Sequence, residues 1–182
     1  MIDRNPGGAT RRRRPPGRFE DGFTLLELIV VVAIIGLIIT IALPTFTAAR
    51  TSAQDHAAQA NLRTALVAAN TVFLSSSDQS FDSVTPATLL ANEPSLRWST
   101  SELTTGAGTI SAINGCVGSS SSCQPGDPFA VGLADDAGNG RCWYAFQADN
   151  DAPWYGTANK TGPACDAKDA GSFASGRSLS GD

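Results

Sequence analysis

One apolar run near the start of the chain dominates its hydrophobic pattern. Residues Phe23 to Leu43 read FTLLELIVVVAIIGLIITIAL, 21 positions that contain a single charged side chain, Glu27. A helix of that length is about 31 Å long, enough to cross the hydrocarbon core of a bilayer. A spanning segment must satisfy its backbone hydrogen bonds internally, so the run is predicted to be a transmembrane helix despite its many β-branched residues.

Beyond Pro44 the pattern becomes amphipathic. Apolar residues recur at helical spacing and form one stripe, made of Ala58, Leu62, Ala65, Leu66, Ala69, Val72 and Phe73. The helix is therefore predicted to continue to about Leu74, where a Ser-Ser-Ser-Asp segment ends it. We expect one helix over residues 23–75, with a transmembrane half at 23–43 and an amphipathic half at 44–75.

Residues 76–167 carry the shorter patterns of a small β-rich domain. The segment Thr85–Leu90 begins like a capped helical turn with Pro86 in the first position. Residues 96–98 and 109–113 are strand candidates, and residues 129–134 and 141–148 flank a Gly/Asn-rich turn as a hairpin would.

The second arm of that hairpin alternates between two sets of side chains. One set is Cys142, Tyr144 and Phe146, and the other is Trp143, Ala145 and Gln147. We expect one of the two faces to pack on the helix stripe. The predicted fold class is α+β, a long N-terminal helix packed against a small antiparallel sheet of three or four strands. Residues 168–182 are rich in Gly and Ser and are expected to be a flexible tail.

Charge is distributed unevenly along the 182 residues, whose formal net charge is −4. The first 22 residues hold six arginines against three acidic residues, a net charge of +3, and the remainder holds seven basic against fourteen acidic residues, a net charge of −7. Positive charge just before an apolar span keeps that end in the cytoplasm. The acidic remainder argues against direct binding of nucleic acid. The sequence predicts a single-pass membrane protein with a cytoplasmic N-terminus.

Signatures of catalysis are missing from the sequence. It has one histidine and no HExxH, GxxxxGK[ST] or GxGxxG pattern. No nucleophile–base pair is recognisable, and we predict neither an enzyme nor a cofactor.

Glu27 is unusual in a membrane segment, because a charged and unpaired carboxylate at the bilayer centre costs about 2.5–3.5 kcal/mol. It requires a partner, unless it lies at the interface as an N-terminal helix carboxylate. An ordinary secretory signal peptide has a shorter apolar core that ends in small residues. Here the run ends in Leu43-Pro44-Thr45-Phe46.

The segment Gly22-Phe23-Thr24-Leu25-Leu26-Glu27-Leu28 resembles the N-terminal signature of type IV pilins and of the pseudopilins of type II secretion systems. The resemblance implies that a prepilin peptidase removes the basic leader, residues 1–22, by cutting between Gly22 and Phe23. Phe23 is then N-methylated. Glu27 would meet the amino terminus of a neighbouring subunit, which supplies its missing partner.

The resemblance extends to Gly36 and Pro44, between which the helix often loosens in filaments of this family. It implies a structural subunit that polymerises into a type IV pilus on the cell surface, with the help of an assembly platform protein. Two alternatives remain. One is a pseudopilin of a type II secretion or DNA-uptake system. The other, from a different class, is an uncleaved membrane-anchored extracytoplasmic binding domain or enzyme.

All four cysteines follow the membrane segment, in the part expected to be exported. Four cysteines permit three pairings, and we favour Cys116–Cys123 and Cys142–Cys165, since a short flexible loop joins the first two. A zinc site is the competing interpretation, but the spacings contain no CxxC pair.

Acidic side chains in two turns are weak candidates for calcium. They are Asp135, Asp136, Asp149 and Asp151. Their spacing does not follow an EF-hand, and acidic turns are usually solvated. Some major pseudopilins of the family that the chain resembles bind calcium. Asp55, in the amphipathic part of the helix, is expected to be a solvated charge.

Overall fold

The structure is a computed structural model that describes residues 22–118, 128–149, 151–175 and 178–180. The chain divides into two units, residues 1–44 and residues 45–182. Helix α1 (Leu25–Ser75) begins in the first unit and runs into the second. Its end lies within one residue of the predicted end.

The second unit contains the sheet and two short helices. In chain order, α1 is followed by a 3-10 turn (Phe81–Ser83), α2 (Pro86–Asn92), β1 (Ile110–Gly118), β2 (Phe129–Asp136), β3 (Arg141–Ala148), β4 (Trp154–Asn159), α3 (Asp169–Ser175) and β5 (Ser178–Ser180). Thr85 caps α2 in a reciprocal box with Thr88, and Pro86 is its first residue. The predicted capped turn and hairpin are confirmed.

The strands form one antiparallel sheet in the order β4-β3-β2-β1-β5. Strands β2 and β3 are the predicted hairpin, with Asp136 opposite Cys142 next to the turn. The strand candidate at residues 109–113 is the start of β1. The candidate at 96–98 contributes only one bridge, between Trp98 and Ile110.

One face of the sheet packs on the apolar stripe of α1. The side chains buried in this layer are Leu62, Ala65, Leu66, Ala68, Ala69, Val72, Phe81, Val84, Leu89, Ile110, Ala112, Val131, Leu133 and Ala145. Trp143 packs against them, and Gln147 accepts a hydrogen bond from Asn70 of α1 at 2.9 Å. The face of β3 that meets the helix is therefore the one that carries Trp143, Ala145 and Gln147. The predicted α+β arrangement is confirmed, but the described sheet has five strands rather than the three or four that we expected.

The opposite face of the sheet is covered as well. Its buried layer consists of Ile113, Ala130, Ala134, Cys142, Tyr144, Phe146, Ala148, Cys165, Ala167 and Ala170. The last three belong to the segment that leads into and begins α3. Burial on both faces explains why β2 is almost continuously buried.

Regular structure continues where the sequence predicts a flexible tail. Helix α3 occupies residues 169–175, and β5 pairs with the end of β1. Small apolar side chains such as Ala170 let the start of this segment pack closely on the sheet. The flexibility of residues 168–182 stays a prediction. Strand β4, which no sequence pattern had identified, lies at the other edge.

Candidate functional site: the N-terminal segment

The first turn of α1 is closed by Thr24 and Glu27. The Thr24 backbone N–H and hydroxyl both donate to Glu27 Oε2 at 2.9 Å, and the Glu27 N–H donates to Thr24 Oγ1 at 3.2 Å. This reciprocal arrangement is a capping box, which satisfies N–H groups that have no partner inside the helix. Thr24-x-x-Glu27 directly before an apolar run is its sequence signature, so this role of Glu27 was readable from the sequence.

Gly22 and Phe23 precede the helix in an exposed, non-helical segment, and the Phe23 side chain is 86% exposed. A Cβ atom added to Gly22 would meet no other atom within 4 Å. Neither the packing of the described residues nor a left-handed backbone requires glycine at this position.

Between Leu25 and Leu43, the large apolar side chains of α1 are all exposed, by 49–75%. They surround the helix on every side rather than forming one stripe. Within the described part of the chain, α1 contains one segment that is long and apolar enough to cross a membrane. An all-round apolar helix is stable only in lipid or among other helices.

Gly36 lies inside this apolar segment, Pro44 directly follows it, and α1 continues through both. Pro44 has no N–H, so the carbonyl oxygen of Thr40 lacks its usual helical donor. The Thr40 hydroxyl itself donates to the carbonyl oxygen of Gly36 at 2.8 Å. A Cβ atom on Gly36 would contact nothing within 4 Å. The described chain therefore contains no packing reason for this glycine, which costs about 1 kcal/mol relative to Ala in a helix.

Asp55 is a structural residue, and the expectation of a solvated charge is wrong. Its carboxylate accepts hydrogen bonds from the Asn139 amide at 2.9 Å, the Arg141 guanidinium at 3.1 Å and the Trp143 indole N–H at 2.9 Å. Burial by itself would raise the pKa of Asp55, but these donors and the charge of Arg141 lower the pKa below its usual value. The cluster ties α1 to the β2–β3 hairpin, and Asp55 is separated in sequence by more than 80 residues from each of its three donors.

Asp135 and Asp136, two of the weak calcium candidates, do not converge on one site in the described structure. As neighbours on β2 they point to opposite faces of the sheet. Asp135 Oδ2 accepts from the Asn61 amide of α1 at 2.9 Å, whereas Asp136 pairs with Lys160 Nζ at 2.6 Å. The two carboxylates thus have separate partners.

Asp149 and Asp151 also have separate surroundings. Asp149 accepts from the backbone N–H groups of Phe81 at 3.3 Å and Phe129 at 3.1 Å, and so joins the 3-10 turn to β2. Asp151 has an exposed side chain. Among the described residues, no group of three or more His, Cys, Asp or Glu side chains is placed to hold a metal ion.

Cys142 and Cys165 form a disulfide, which joins β3 to the segment before α3. Both residues belong to the buried layer on the face of the sheet away from α1. Cys116 is disulfide-bonded as well. Its predicted partner, Cys123, lies outside the described residues.

The comparisons with known proteins concern the N-terminal segment alone. The prokaryotic N-terminal methylation motif matches residues 18–43. No curated protein and no solved structure matches the chain. Over these 26 residues, the resemblance to the N-terminal signature of type IV pilins and pseudopilins is confirmed. The motif implies a membrane-anchored precursor that is processed by a prepilin peptidase.

Proposed function

We propose that the chain is the precursor of a filament subunit. A prepilin peptidase removes residues 1–22 from the cytoplasmic side, Phe23 becomes the N-methylated first residue, and the mature chain polymerises into a type IV pilus on the cell surface. An assembly platform protein in the membrane would insert each subunit. The role is structural rather than enzymatic.

The observation that carries the proposal is the methylation motif over residues 18–43, whose α1 part is apolar on all sides. A helix of this kind has two stable environments, the bilayer and a bundle of like helices. Before assembly the helix lies in the bilayer, and after assembly it lies in a bundle of like helices. Gly22 and Gly36 support the proposal, because nothing within the described chain requires a glycine at either position.

Glu27 has two separable roles in this proposal. Its oxygen caps the helix through Thr24, and its charge would attract the amino group of Phe23 on a neighbouring subunit. Opposite charges in a medium of low dielectric constant attract strongly, and an unpaired carboxylate there is costly. The two roles predict different outcomes for conservative variants.

Mass spectrometry of the mature N-terminus is the first test. An N-methylated Phe23 terminus supports processing, and Gly22→Arg should abolish it and leave the full-length precursor in the membrane. A wild-type chain that keeps Met1 would contradict the proposal. That result would favour the membrane-anchored binding domain or enzyme.

Three variants then test assembly, measured as subunit recovered in sheared surface filaments. Glu27→Gln keeps an oxygen for the Thr24 donors but removes the charge, and Glu27→Ala removes both. Thr24→Ala removes the two hydrogen bonds of the Thr24 hydroxyl, but it keeps the charge and the bond from the backbone N–H of that residue. We expect filaments from Thr24→Ala alone. Filaments from Glu27→Gln would show that capping is the role of Glu27. Normal processing without surface filaments in the wild type would assign the chain to a secretion or DNA-uptake pseudopilin.

A further inference from the structure

Asp135 lies in the helix–sheet interface, at the second-to-last position of β2, with an incomplete set of hydrogen bonds among the described residues. Its side chain is fully buried, with 0% exposure, on the face of β2 that packs on α1. Oδ2 accepts one hydrogen bond, from the Asn61 amide at 2.9 Å. Oδ1 is buried and has no hydrogen-bond partner among the described residues.

The neighbours of Asp135 on the sheet are apolar or neutral. Its cross-strand partners are Ile110 on β1 and Trp143 on β3. On α1, Ala58 lies three positions before Asn61 and Leu62 lies one position after it, and both are buried. A neutral amide is thus the only donor to this carboxyl group that the described residues supply.

Charged side chains on the elements around Asp135 pair with other residues or are exposed. On β2, Asp136 pairs with Lys160 at the end of β4, at 2.6 Å. Asp55 of α1 pairs with Arg141 of β3 at 3.1 Å. Arg97, which lies beside β1, has an exposed side chain. Within the described chain, none of these cations forms an ion pair with Asp135.

A buried carboxyl group without a cation is stable only when it carries a proton, because transfer of an unpaired charge from water into an apolar interior is very costly. Burial raises the pKa of Asp135 to about 7, an effect that the Asn61 hydrogen bond opposes and the nearby charge of Asp136 reinforces. The unpartnered Oδ1 is the oxygen that would hold the proton.

We propose that Asp135 is a proton-operated latch between α1 and the sheet. With a proton on Oδ1, the carboxyl group is neutral and the interface is closed. Loss of the proton leaves an uncompensated charge against Asn61 and loosens α1 from β2. The latch lies in the second unit of the chain and does not depend on the filament proposal.

The pH window follows from the two end states. In the unfolded chain Asp135 has its usual pKa of 3.8, and in the folded chain the pKa is about 7. The stabilisation of the folded chain by protonated Asp135 is fully present below the unfolded pKa and is lost as the pH rises through the folded pKa. The difference of about three pKa units corresponds to a change of roughly a thousand-fold in the opening equilibrium.

Amide hydrogen exchange of the full chain in detergent micelles tests the latch, with rates corrected for the intrinsic effect of pH. We expect the opening constant for residues 58–66 of α1 and 130–135 of β2 to rise between pH 5 and pH 8.5. Asp135→Asn should abolish the rise. The matched control Asp136→Asn, which alters the neighbouring carboxylate on the other face, should keep it. A rise that persists in Asp135→Asn would overturn the proposal.

A second measurement needs no variant and covers the case in which Asp135→Asn does not fold. The carboxyl carbons of uniformly labelled wild-type protein are titrated by NMR, also in micelles. A resonance assigned to Asp135 with a midpoint near 7 supports the latch. A midpoint for Asp135 below about 5 overturns it, since the carboxyl group would then be ionised at neutral pH.

Discussion

The indole nitrogen of Trp143 donates a hydrogen bond of 2.9 Å to Asp55, and this contact joins the sheet to α1. The same carboxylate accepts hydrogen bonds from the Asn139 amide and the Arg141 guanidinium. The Arg141 guanidinium also lies 5.9 Å from the centre of the Trp143 ring. One side chain on α1 thereby fixes the position of the turn between β2 and β3. The contact is consistent with Trp143 on the face of the sheet that meets α1, while its neighbour Cys142 forms the disulfide on the opposite face.

Asp55→Asn should destabilise the folded domain by about 2 kcal/mol, because hydrogen bonds to a charged group are worth roughly 1.5–3 kcal/mol. Urea unfolding of the full chain in micelles, followed by tryptophan fluorescence, measures the loss. The matched control is Asp78→Asn, an exposed carboxylate after the end of α1, which should change stability by less than about 0.5 kcal/mol. Equal effects of the two substitutions would contradict the structural role of Asp55.

The hydrogen-bonded cluster around Asp55 predicts that the folded domain loses stability at acid pH. The folded pKa of Asp55 lies below its usual value of 3.8. Its contribution is therefore complete above about pH 4 and is lost as the pH falls through the folded pKa. Unfolding curves recorded from pH 5 to pH 2 should converge for wild type and Asp55→Asn at the acid end. A constant difference between the two proteins over that range would refute this assignment.

Local patterns predicted much of the fold but not its long-range contacts. The stripe from Ala58 to Val72 and the hairpin follow from helical and strand periodicity, which are properties of short segments. The side chains of β3 are apolar on both faces, so periodicity did not determine which face meets α1. Asp55 was misjudged because its donors lie on a distant hairpin, and its own neighbours in sequence give no sign of them.

Strand β4 and the C-terminal segment were missed for a related reason. Trp154-Tyr155-Gly156-Thr157-Ala158-Asn159 is a short edge strand whose alternation is weak, since its half-buried positions include a glycine. A Cβ atom on Gly156 would lie 2.0 Å from the Trp154 ring, which shows that the indole covers this position. The Thr24–Glu27 capping box, by contrast, could have been identified from the sequence alone.

Removal of the Cys142–Cys165 disulfide should cost about 3 kcal/mol in the free energy of unfolding, from chain-entropy estimates for a loop of this length. The bond closes a sequence separation of 23 residues. The Cys142→Ser/Cys165→Ser double variant, compared with wild type by urea unfolding, measures the effect. A loss below about 0.5 kcal/mol would show that the segment before α3 stays on the sheet without the bond.

The burial of this disulfide adds a kinetic expectation. Cys142 and Cys165 are 2% and 1% exposed, and thiol–disulfide exchange requires access of a thiolate to a sulfur atom. A reducing agent should therefore leave the bond intact in the native protein and reduce it in urea. Trapping of the thiols with an alkylating agent, followed by mass spectrometry of the Cys142 and Cys165 peptides, distinguishes the two states. Rapid reduction without urea would contradict the buried position.

Substitution by alanine should destabilise the domain to different extents at the two glycines in the turn between β2 and β3. Both have a left-handed backbone, with φ of 75° at Gly138 and 84° at Gly140, which costs a residue with a side chain about 1–2 kcal/mol. A Cβ atom on Gly138 would also lie 2.6 Å from the Cβ of Ala107, whereas one on Gly140 would meet nothing within 4 Å.

Gly138→Ala should therefore be more destabilising than Gly140→Ala by at least about 1 kcal/mol, since overpacking adds its own penalty. Thermal unfolding of the two variants side by side measures the difference. Gly138→Ala combined with Ala107→Gly should recover much of the loss, because the second change removes the clashing atom. Equal destabilisation by the two single substitutions would contradict the close approach to Ala107.

The Gly36→Ala variant tests whether the glycine is required for the helix of the isolated chain or for packing between subunits in the filament. A methyl group at this position meets no other atom within 4 Å, and alanine is the better helix former by about 1 kcal/mol. The helicity of the variant in detergent micelles, measured by circular dichroism, should equal or exceed that of the wild type. If close packing between neighbouring helices requires the glycine, the yield of sheared filaments should nevertheless fall. A fall in yield with unchanged helicity and normal N-terminal processing would locate the defect in assembly. Full filament yield from Gly36→Ala would show that the glycine is dispensable between subunits as well as within them.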